Sequence, residues 1–305
     1  MPIQPSQPIQ SSQPPASGTF NLAEVESAVA ATQFAGRLHH LASTPSTNDL
    51  AARAALAGAR IGVWIADEQL AGRGRGAHTW HSPAGSGLYM TALAAPPLPM
   101  QSALALSTRV AVAVQSAIAS TFGFRVRDQI DIRWPNDLML NGKKVGGILI
   151  DTASNPAAPP LPAMLRYAIV GIGINLNQTA FPPSLEPIAT SILRELPGLP
   201  LRPESFTRSV EDGTKCLNRE PLAAAILLTL DAELRALATD NGQQTTDNLS
   251  LYSSWVCGKR VRVEARDGVP SYTGTTAGLN PQGFLLVAGD DGQLHTVLSG
   301  GLRDP

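Results

Sequence analysis

Apolar residues begin to recur at helical spacing near Phe20. Leu22, Val25, Val29 and Ala30 predict an amphipathic helix over Asn21–Thr32. Thr47, Asn48 and Asp49 offer capping oxygens to a second helix, Leu50–Ala57, which Gly58 stops. The short apolar runs Ile61–Ala66 and Leu88–Ala95 predict strands. Gln101–Ser120 is long and apolar, yet holds Arg109, Gln115 and several Ser/Thr, so it predicts a buried helix rather than a membrane span. Ile130–Trp134 predicts a strand. Asp137–Leu140 and Val145–Asp151 flank Asn141-Gly142, a strong hairpin signal. Asn155–Pro162 is rich in Pro and Ala and predicts a loop, whereas Tyr167–Leu176 alternates Ile/Val with Gly and suits a central strand. Phe206–Leu217 and Leu222–Ala238 predict helices, and the polar stretch Asp240–Asn248 a linker. Trp255–Leu302 has short apolar runs broken by Asp267-Gly268, Asn280 to Gly283 and Asp290 to Gly292, the texture of a small β-barrel.

This pattern divides 305 residues into a Pro/Gln/Ser-rich tail (1–19) expected to be disordered, a large domain (20–240) and a small domain (250–305). No charged n-region or apolar h-region opens the chain, so no signal peptide is expected. The 23 Lys plus Arg against 24 Asp plus Glu give a net charge of −1, which argues against a generic nucleic-acid binder. Cys216 and Cys257 stand far apart. They exclude a disulfide scaffold and a Cys-based zinc site, and fit a cytoplasmic location.

Three segments hold the chemistry. Gln69 to Gly76 follows a predicted strand and interleaves glycines with Arg73 and Arg75. Glycines let a backbone approach a ligand, and arginines supply permanent charge for phosphate or carboxylate. A solvated basic turn is the competing reading. Arg133-Trp134-Pro135-Asn136-Asp137 is a stiff turn in which Asn and Asp hold the backbone. Adjacent Lys143 and Lys144 point to opposite faces of a strand, so at most one enters a site. Gly171-Ile172-Gly173-Ile174-Asn175-Leu176 has Leu where a dinucleotide fingerprint needs its last glycine, and Gly142-Lys143 is no Walker A loop. His78 and His81 do not form a zincin helix, so no metal ligand is assigned.

Ser46-Thr47-Asn48, Gln69 through Arg75, Trp80, the Arg-Trp-Pro-Asn-Asp turn, Lys144, Gly147 and Gly171 to Asn175 follow one another in the order and spacing of biotin–protein ligases (biotin–[acetyl-CoA-carboxylase] ligases). The chain resembles that family from about residue 36 to Ser299-Gly300-Gly301-Leu302-Arg303. The resemblance implies an α/β fold. Its catalytic domain is class II synthetase-like, a mixed, largely antiparallel sheet with packed helices, followed by a C-terminal SH3-like β-barrel. Regulatory members have an N-terminal helix-turn-helix domain. Only the tail and one short helix precede Ser46, so the likeness is to the monofunctional type, with no DNA or membrane partner.

The implied reaction joins biotin to ATP, giving biotinyl-5′-AMP and pyrophosphate, and then transfers biotin to a lysine of a biotin carboxyl carrier protein. ATP and Mg²⁺ are the implied cofactors, and a homodimer is left open. By resemblance, Ser46, Thr47 and Asn48 grip the biotin head, with Gln69 bonding the head or the valeryl carboxylate region. Gly72, Arg73 and Gly74 meet the carboxylate and α-phosphate, and Arg75 orders the loop over the adenylate. Lys144 bonds carboxylate and α-phosphate oxygens and is, with Arg73, the expected catalytic pair. Trp80, Gly147 and Ile148 line the ring, with Trp80 as ordinary core the alternative. Trp134, Asn136, Asp137, Gly173 and Asn175 fall on the nucleotide side; for Trp134 and Asp137 a purely structural role stays open.

Two departures stand out. Relatives often continue the basic loop with Arg, Gly and Arg where this chain has Gly76, Ala77 and His78, and Lys is usual where Arg133 stands. Two competing functions share parts of the pattern: a lipoate or octanoate ligase or transferase, whose acyl group lacks a ureido ring, and a non-catalytic biotin-sensing module, which could discard Arg73 and Lys144.

Overall fold

A computed structural model describes residues 20–123, 129–156, 162–195, 206–208, 215–240, 249–264, 270–280, 282–298 and 301–305. The expected tail, most of the Asn155–Pro162 loop and nearly all of the Asp240–Asn248 linker lie outside them.

The large domain is built on a seven-stranded sheet in the order β1-β2-β3-β7-β6-β5-β4. Its strands are β1 (Leu38–Thr44), β2 (Gly62–Gln69), β3 (Gly87–Ala94), β4 (Ile130–Arg133), β5 (Asp137–Leu140), β6 (Lys143–Ser154) and β7 (Leu165–Asn175). Only β1 and β2 pair in parallel; the other pairs are antiparallel. β3 is buried along its whole length, as its continuous apolar run requires. The strand β1 was not anticipated. Its sequence, LHHLAST, mixes polar and apolar residues without a regular alternation of burial and lacks an apolar run.

Helices α3 (Ala103–Phe122) and α5 (Glu220–Asp240) cover one face of the sheet. By length and composition α3 is apolar enough to cross a membrane. Leu106, Val110, Val114, Ile118 and Phe122 of α3 are instead buried in the main core with Ile130, Val170 and Leu227. Helix α1 (Leu22–Ala28) is shorter than expected and packs beside α5.

Helix α2 (Thr47–Leu56) lies on the other face, where Ala51 and Ala55 close on Leu93 and Ile169. It begins three residues earlier than its apolar pattern suggests. Ser46 is the N-cap residue, and Thr47 and Asn48 sit inside the first turn. The strand expected over Ile130–Trp134 stops at Arg133, which pairs with Asp137 across the Trp134-Pro135-Asn136 turn.

The helix expected over Phe206–Leu217 is not found at its two described ends. Two short strands, β8 (Phe206–Arg208) and β9 (Lys215–Leu217), pair antiparallel instead. Local propensity loses to a tertiary clamp. The Asn177 side chain accepts from the Leu217 N–H at 2.8 Å and donates to the Leu217 carbonyl at 3.2 Å.

The small domain is a five-stranded antiparallel sheet in the order β13-β12-β11-β10-β14. Its strands are β10 (Cys257–Val263), β11 (Tyr272–Leu279), β12 (Leu285–Gly289), β13 (Leu294–Val297) and β14 (Leu302–Arg303). Val261, Val263, Leu285 and Val287 join the main core. Among the described residues the expected barrel is an open sheet, with β13 and β14 as its edges.

Candidate active site

A cavity of about 800 Å³ opens on the α2 face of the large sheet. Its floor is glycine. Gly147 and Gly173 pair across β6 and β7. A Cβ on Gly173 would stand 2.5 Å from Trp80 Nε1, and one on Gly171 would stand 2.1 Å from Asn48 Oδ1. The missing side chains let an indole and an amide lie directly on the strands. Gly72 plays the same part in the chain crossing, where a Cβ would meet the Trp80 carbonyl at 2.6 Å.

The inner end of the cavity is polar. Thr47 donates its N–H to Gln69 Oε1 at 2.9 Å, and the Gln69 amide donates to Ser82 at 3.0 Å. Gln69 therefore fastens the start of α2 to the loop after β2. Thr91, from β3, lies 2.8 Å from the Thr47 hydroxyl and donates to Asn48 Oδ1 at 2.7 Å. Two buried polar atoms remain without a protein partner here, Asn48 Nδ2 and Ser46 Oγ. Buried polar groups are normally satisfied, so these atoms mark a place for a polar ligand.

The outer end is cationic. The basic loop is a small hairpin in which Arg73 pairs with Thr79 and Gly74 donates to the His78 carbonyl at 2.7 Å. Gly76 sits at φ +60°, a conformation that favours glycine. Arg75 reaches over and donates to Asn136 Oδ1 at 3.2 Å. Arg73 turns aside, 3.0 Å from Asp49 and 3.8 Å from Asp151.

Lys144 enters the cavity from β6. Its ammonium is 2.6 Å from Asp137 Oδ1 and 5.4 Å from the centre of the Trp80 ring. Arg133 holds the other oxygen of Asp137 at 2.7 Å. Burial raises the cost of ionising Asp137, but Lys144 and Arg133 outweigh it and keep the carboxyl below its ordinary range. Lys143 points away and donates to the Glu186 carbonyl at 3.3 Å, as the alternation of a strand demands. The backbone of Lys144 is bracketed by segment 188–190, accepting from Thr190 and donating to Ile188.

Every other expected residue can now be located. Thr47, Asn48, Gln69, Arg73, Gly74, Arg75, Trp80, Trp134, Asn136, Asp137, Lys144, Gly147, Ile148, Gly173 and Asn175 line the cavity; Ser46 and Gly72 lie behind its wall. Several have structural duties. Asn136 donates to the Ile148 carbonyl at 2.5 Å, and Asn175 donates to the Thr190 carbonyl at 3.0 Å. Trp134 is 3% exposed and its Nε1 has no protein partner.

Sequence reading missed Thr91, the segment Phe181 to Ala189, and the rim formed by Glu264, Leu302, Arg303 and Asp304. A hydroxyl inside the otherwise apolar strand β3 was the only local signal for Thr91. The rim arrives from the small domain, whose Leu302 and Arg303 entered the sequence reading only as part of the family-like C-terminal motif. Among the described residues no group of three or more His, Cys, Asp or Glu is placed to hold a metal ion.

The sequence matches the biotin/lipoate A/B protein ligase family over residues 41–175 and the biotin protein ligase C-terminal domain over residues 256–300. It is 33% identical over 230 residues to the bifunctional ligase/repressor BirA of Bacillus subtilis, a match covering 75% of this chain and 62% of that relative. It is 29% identical over 269 residues to the biotin–[acetyl-CoA-carboxylase] ligase of Mycobacterium tuberculosis, covering 87% of each. The fold resembles biotin protein ligase from Aquifex aeolicus in complex with biotin and ATP. That likeness has a TM-score of 0.64 at 23% identity, covering 88% of this chain and 98% of that one. The match thus spans about 62% of the length of the bifunctional relatives, and nearly all of the fold of the Aquifex protein. On these grounds the chain carries a biotin/lipoate A/B protein ligase domain followed by a biotin protein ligase C-terminal domain.

Proposed function

We propose that this chain is an ATP-dependent biotin–protein ligase. One observation bears most of the weight. A single cavity runs from the unpaired amide nitrogen of Asn48, past the Trp80 ring, to the ammonium of Lys144. Biotin has the matching order: a ureido ring, an apolar body and a carboxylate tail. The ureido carbonyl would accept from Asn48 Nδ2, and a ureido N–H would find a hydroxyl oxygen at Thr47. The carboxylate would then lie near Lys144, where the α-phosphate must also come.

The first step brings two anions together. A biotin carboxylate oxygen attacks the α-phosphorus of ATP, and pyrophosphate leaves. Lys144, with Arg75 and Arg73 of the hairpin, lowers the repulsion and the developing charge, so positioning and electrostatics suffice without an enzyme nucleophile. Arg73 must leave Asp49 to take part. Mg²⁺ would neutralise triphosphate charge as part of the nucleotide. In the second step an acceptor lysine amine attacks the acyl carbon of biotinyl-5′-AMP and AMP departs. The acceptor is proposed to be a biotin carboxyl carrier protein, in keeping with the name of the mycobacterial relative. The free cysteines Cys216 and Cys257 suit a cytoplasmic setting for this chemistry.

A lipoyl or octanoyl group would leave Asn48 Nδ2 buried and unpaired, at about 1–3 kcal/mol. The test is pyrophosphate–ATP exchange with the purified chain, supplied with biotin, lipoate or neither, followed by transfer to a carrier domain. Exchange that needs biotin supports the reading. Exchange driven by lipoate, or none with any acid, rejects it.

A further inference from the structure

Among the described residues the edge strand β4 has no strand neighbour on its outer side. Residues 253–255, just before β10, cover it. Ser253 donates its hydroxyl to the Ile132 carbonyl at 2.6 Å, and Ser254 donates its N–H to Asp131 Oδ1 at 2.9 Å. The Ser254 hydroxyl also bonds Asp131, and the Trp255 N–H donates to Ser253 Oγ at 3.1 Å. This stitching sets the Trp255 ring beside Arg133, with the guanidinium carbon 5.7 Å from the ring centre. Lys259 also lies over that ring, at 4.2 Å, and is anchored by Asp304 at 3.0 Å. Trp255 is buried, and both cations stand within cation–π range of it.

We propose that Trp255 is a positioning residue for the reaction: it holds Arg133 on Asp137 and thereby leaves the charge of Lys144 free to act in the cavity. The inference rests on the adenylation role given to Lys144 above. Asp137 has two oxygens and divides them between Lys144 and Arg133. The triad of two cations and one carboxylate has a net charge of +1. Should Arg133 swing away, Lys144 and Asp137 remain as a neutral ion pair at 2.6 Å, and the field offered to a carboxylate or phosphate largely cancels. A carboxylate that already shares itself with Arg133 also releases Lys144 more readily to a ligand oxygen. Arg133 is gripped at one end by Asp137 and along its side by Trp255, so the small domain sets the electrostatics of a lysine on a different domain. The biotin-head pocket at Asn48 and Thr91 is built from other elements, so its affinity is independent of this chain of contacts.

The test compares Trp255→Leu, Trp255→Phe, Arg133→Gln and the Trp255→Leu/Arg133→Gln double variant, each in the full chain and each checked by thermal melting. Trp255→Phe keeps an aromatic face; Trp255→Leu keeps bulk without one. In biotin-dependent pyrophosphate–ATP exchange, Trp255→Leu is expected to lower kcat about tenfold, the scale of one charged hydrogen bond. Its Kd for biotin should stay within about twofold of wild type, and Trp255→Phe should restore most of the rate. Arg133→Gln should lose as much as Trp255→Leu, and the double variant no more than Arg133→Gln alone, because both act through one bond. Asp137, followed by carbon-13 NMR titration, should move up toward the ordinary carboxylate range in Trp255→Leu and Arg133→Gln, and stay in place in Trp255→Phe. Multiplying losses, equal losses in Leu and Phe, or an unmoved Asp137 would overturn the proposal. A wild-type chain without biotin-dependent exchange rejects the ligase reading instead, and the Asp137 titration then decides the positioning role by itself. Should Trp255→Leu fail to fold, Arg133→Gln with a wild-type rate and an unmoved Asp137 overturns it equally.

Discussion

The hydroxyl of Thr91 lies 2.7 Å from Asn48 Oδ1, fully buried, and so decides which way the Asn48 amide faces. An acceptor-only oxygen takes the Thr91 proton, and Nδ2 is left as a donor without a protein partner. Thr91→Val keeps the shape and removes the proton, freeing the amide to flip. Biotin affinity should fall about 5- to 100-fold, the scale of one buried hydrogen bond left unmade. Isothermal titration with biotin, alongside a melting curve, reads it. An unchanged Kd would remove Thr91 from the pocket.

Lys144 and Lys143 form a matched pair for a second experiment. Lys144→Ala removes the ammonium proposed to meet the anions, and biotinyl-5′-AMP formation should slow about 30- to 1000-fold. Lys143→Ala, whose side chain only reaches the Glu186 carbonyl, should be nearly silent. A rate for Lys144→Ala within threefold of wild type would sink the assignment.

Arg75 joins the hairpin to the turn through Asn136, so it closes the cavity mouth from above. Biotinyl-5′-AMP is a reactive mixed anhydride, which a closed loop must shield from water and stray amines. Arg75→Gly should still make it but release it about 10- to 100-fold faster, the range for one charged hydrogen bond. Bystander lysines on serum albumin would then be biotinylated. The discriminating measurement is adenylate dissociation beside bystander labelling; equal values for mutant and wild type leave Arg75 without this role.

Gly173 tests the glycine floor. A methyl there would overlap Trp80 Nε1 at 2.5 Å, and the indole must lift off the sheet. Gly173→Ala should therefore weaken biotin binding and adenylation together while the strands stay paired. Fluorescence of Trp80 in a variant lacking the other three tryptophans would report the displacement. Retained emission and retained affinity would show that the floor tolerates a side chain.

Asp137 is one of the carboxylates, with Glu186, Asp290 and Asp291, held below the ordinary range. Burial opposes its charge, Lys144 and Arg133 outweigh that, and its native pKa lies below the unfolded value. The stability it contributes is complete above the unfolded pKa and disappears as pH falls through the native one. Asp137→Asn should flatten the acid limb of a plot of Tm against pH relative to wild type. Parallel acid limbs would show that Asp137 does not contribute to it.

The sequence by itself determined whatever depends on neighbours along the chain. The period-two run of Tyr167–Leu176 and the Asn141-Gly142 turn became β7 and the β5–β6 hairpin, because register and turn chemistry are local. The opposite facing of Lys143 and Lys144 followed from strand alternation. The order of Ser46 to Asn48, the Gly-Arg loop and the Arg-Trp-Pro-Asn-Asp turn was enough to suggest what they bind. Tertiary structure decided everything that depends on residues far apart in sequence. β1 exists because β2 offers an edge, although its own pattern is polar. β9 is a strand because Asn177, 40 residues upstream, takes both hydrogen bonds of Leu217. Gln69 proved to be a fastener for Thr47 as much as a ligand group, and Arg73 rests on Asp49 and Asp151. Thr91 reaches Asn48 across 43 residues, and Trp255 reaches Arg133 from another domain. Hydrogen bonds and ion pairs of that reach have no period and no spacing, so only the packed chain reveals them.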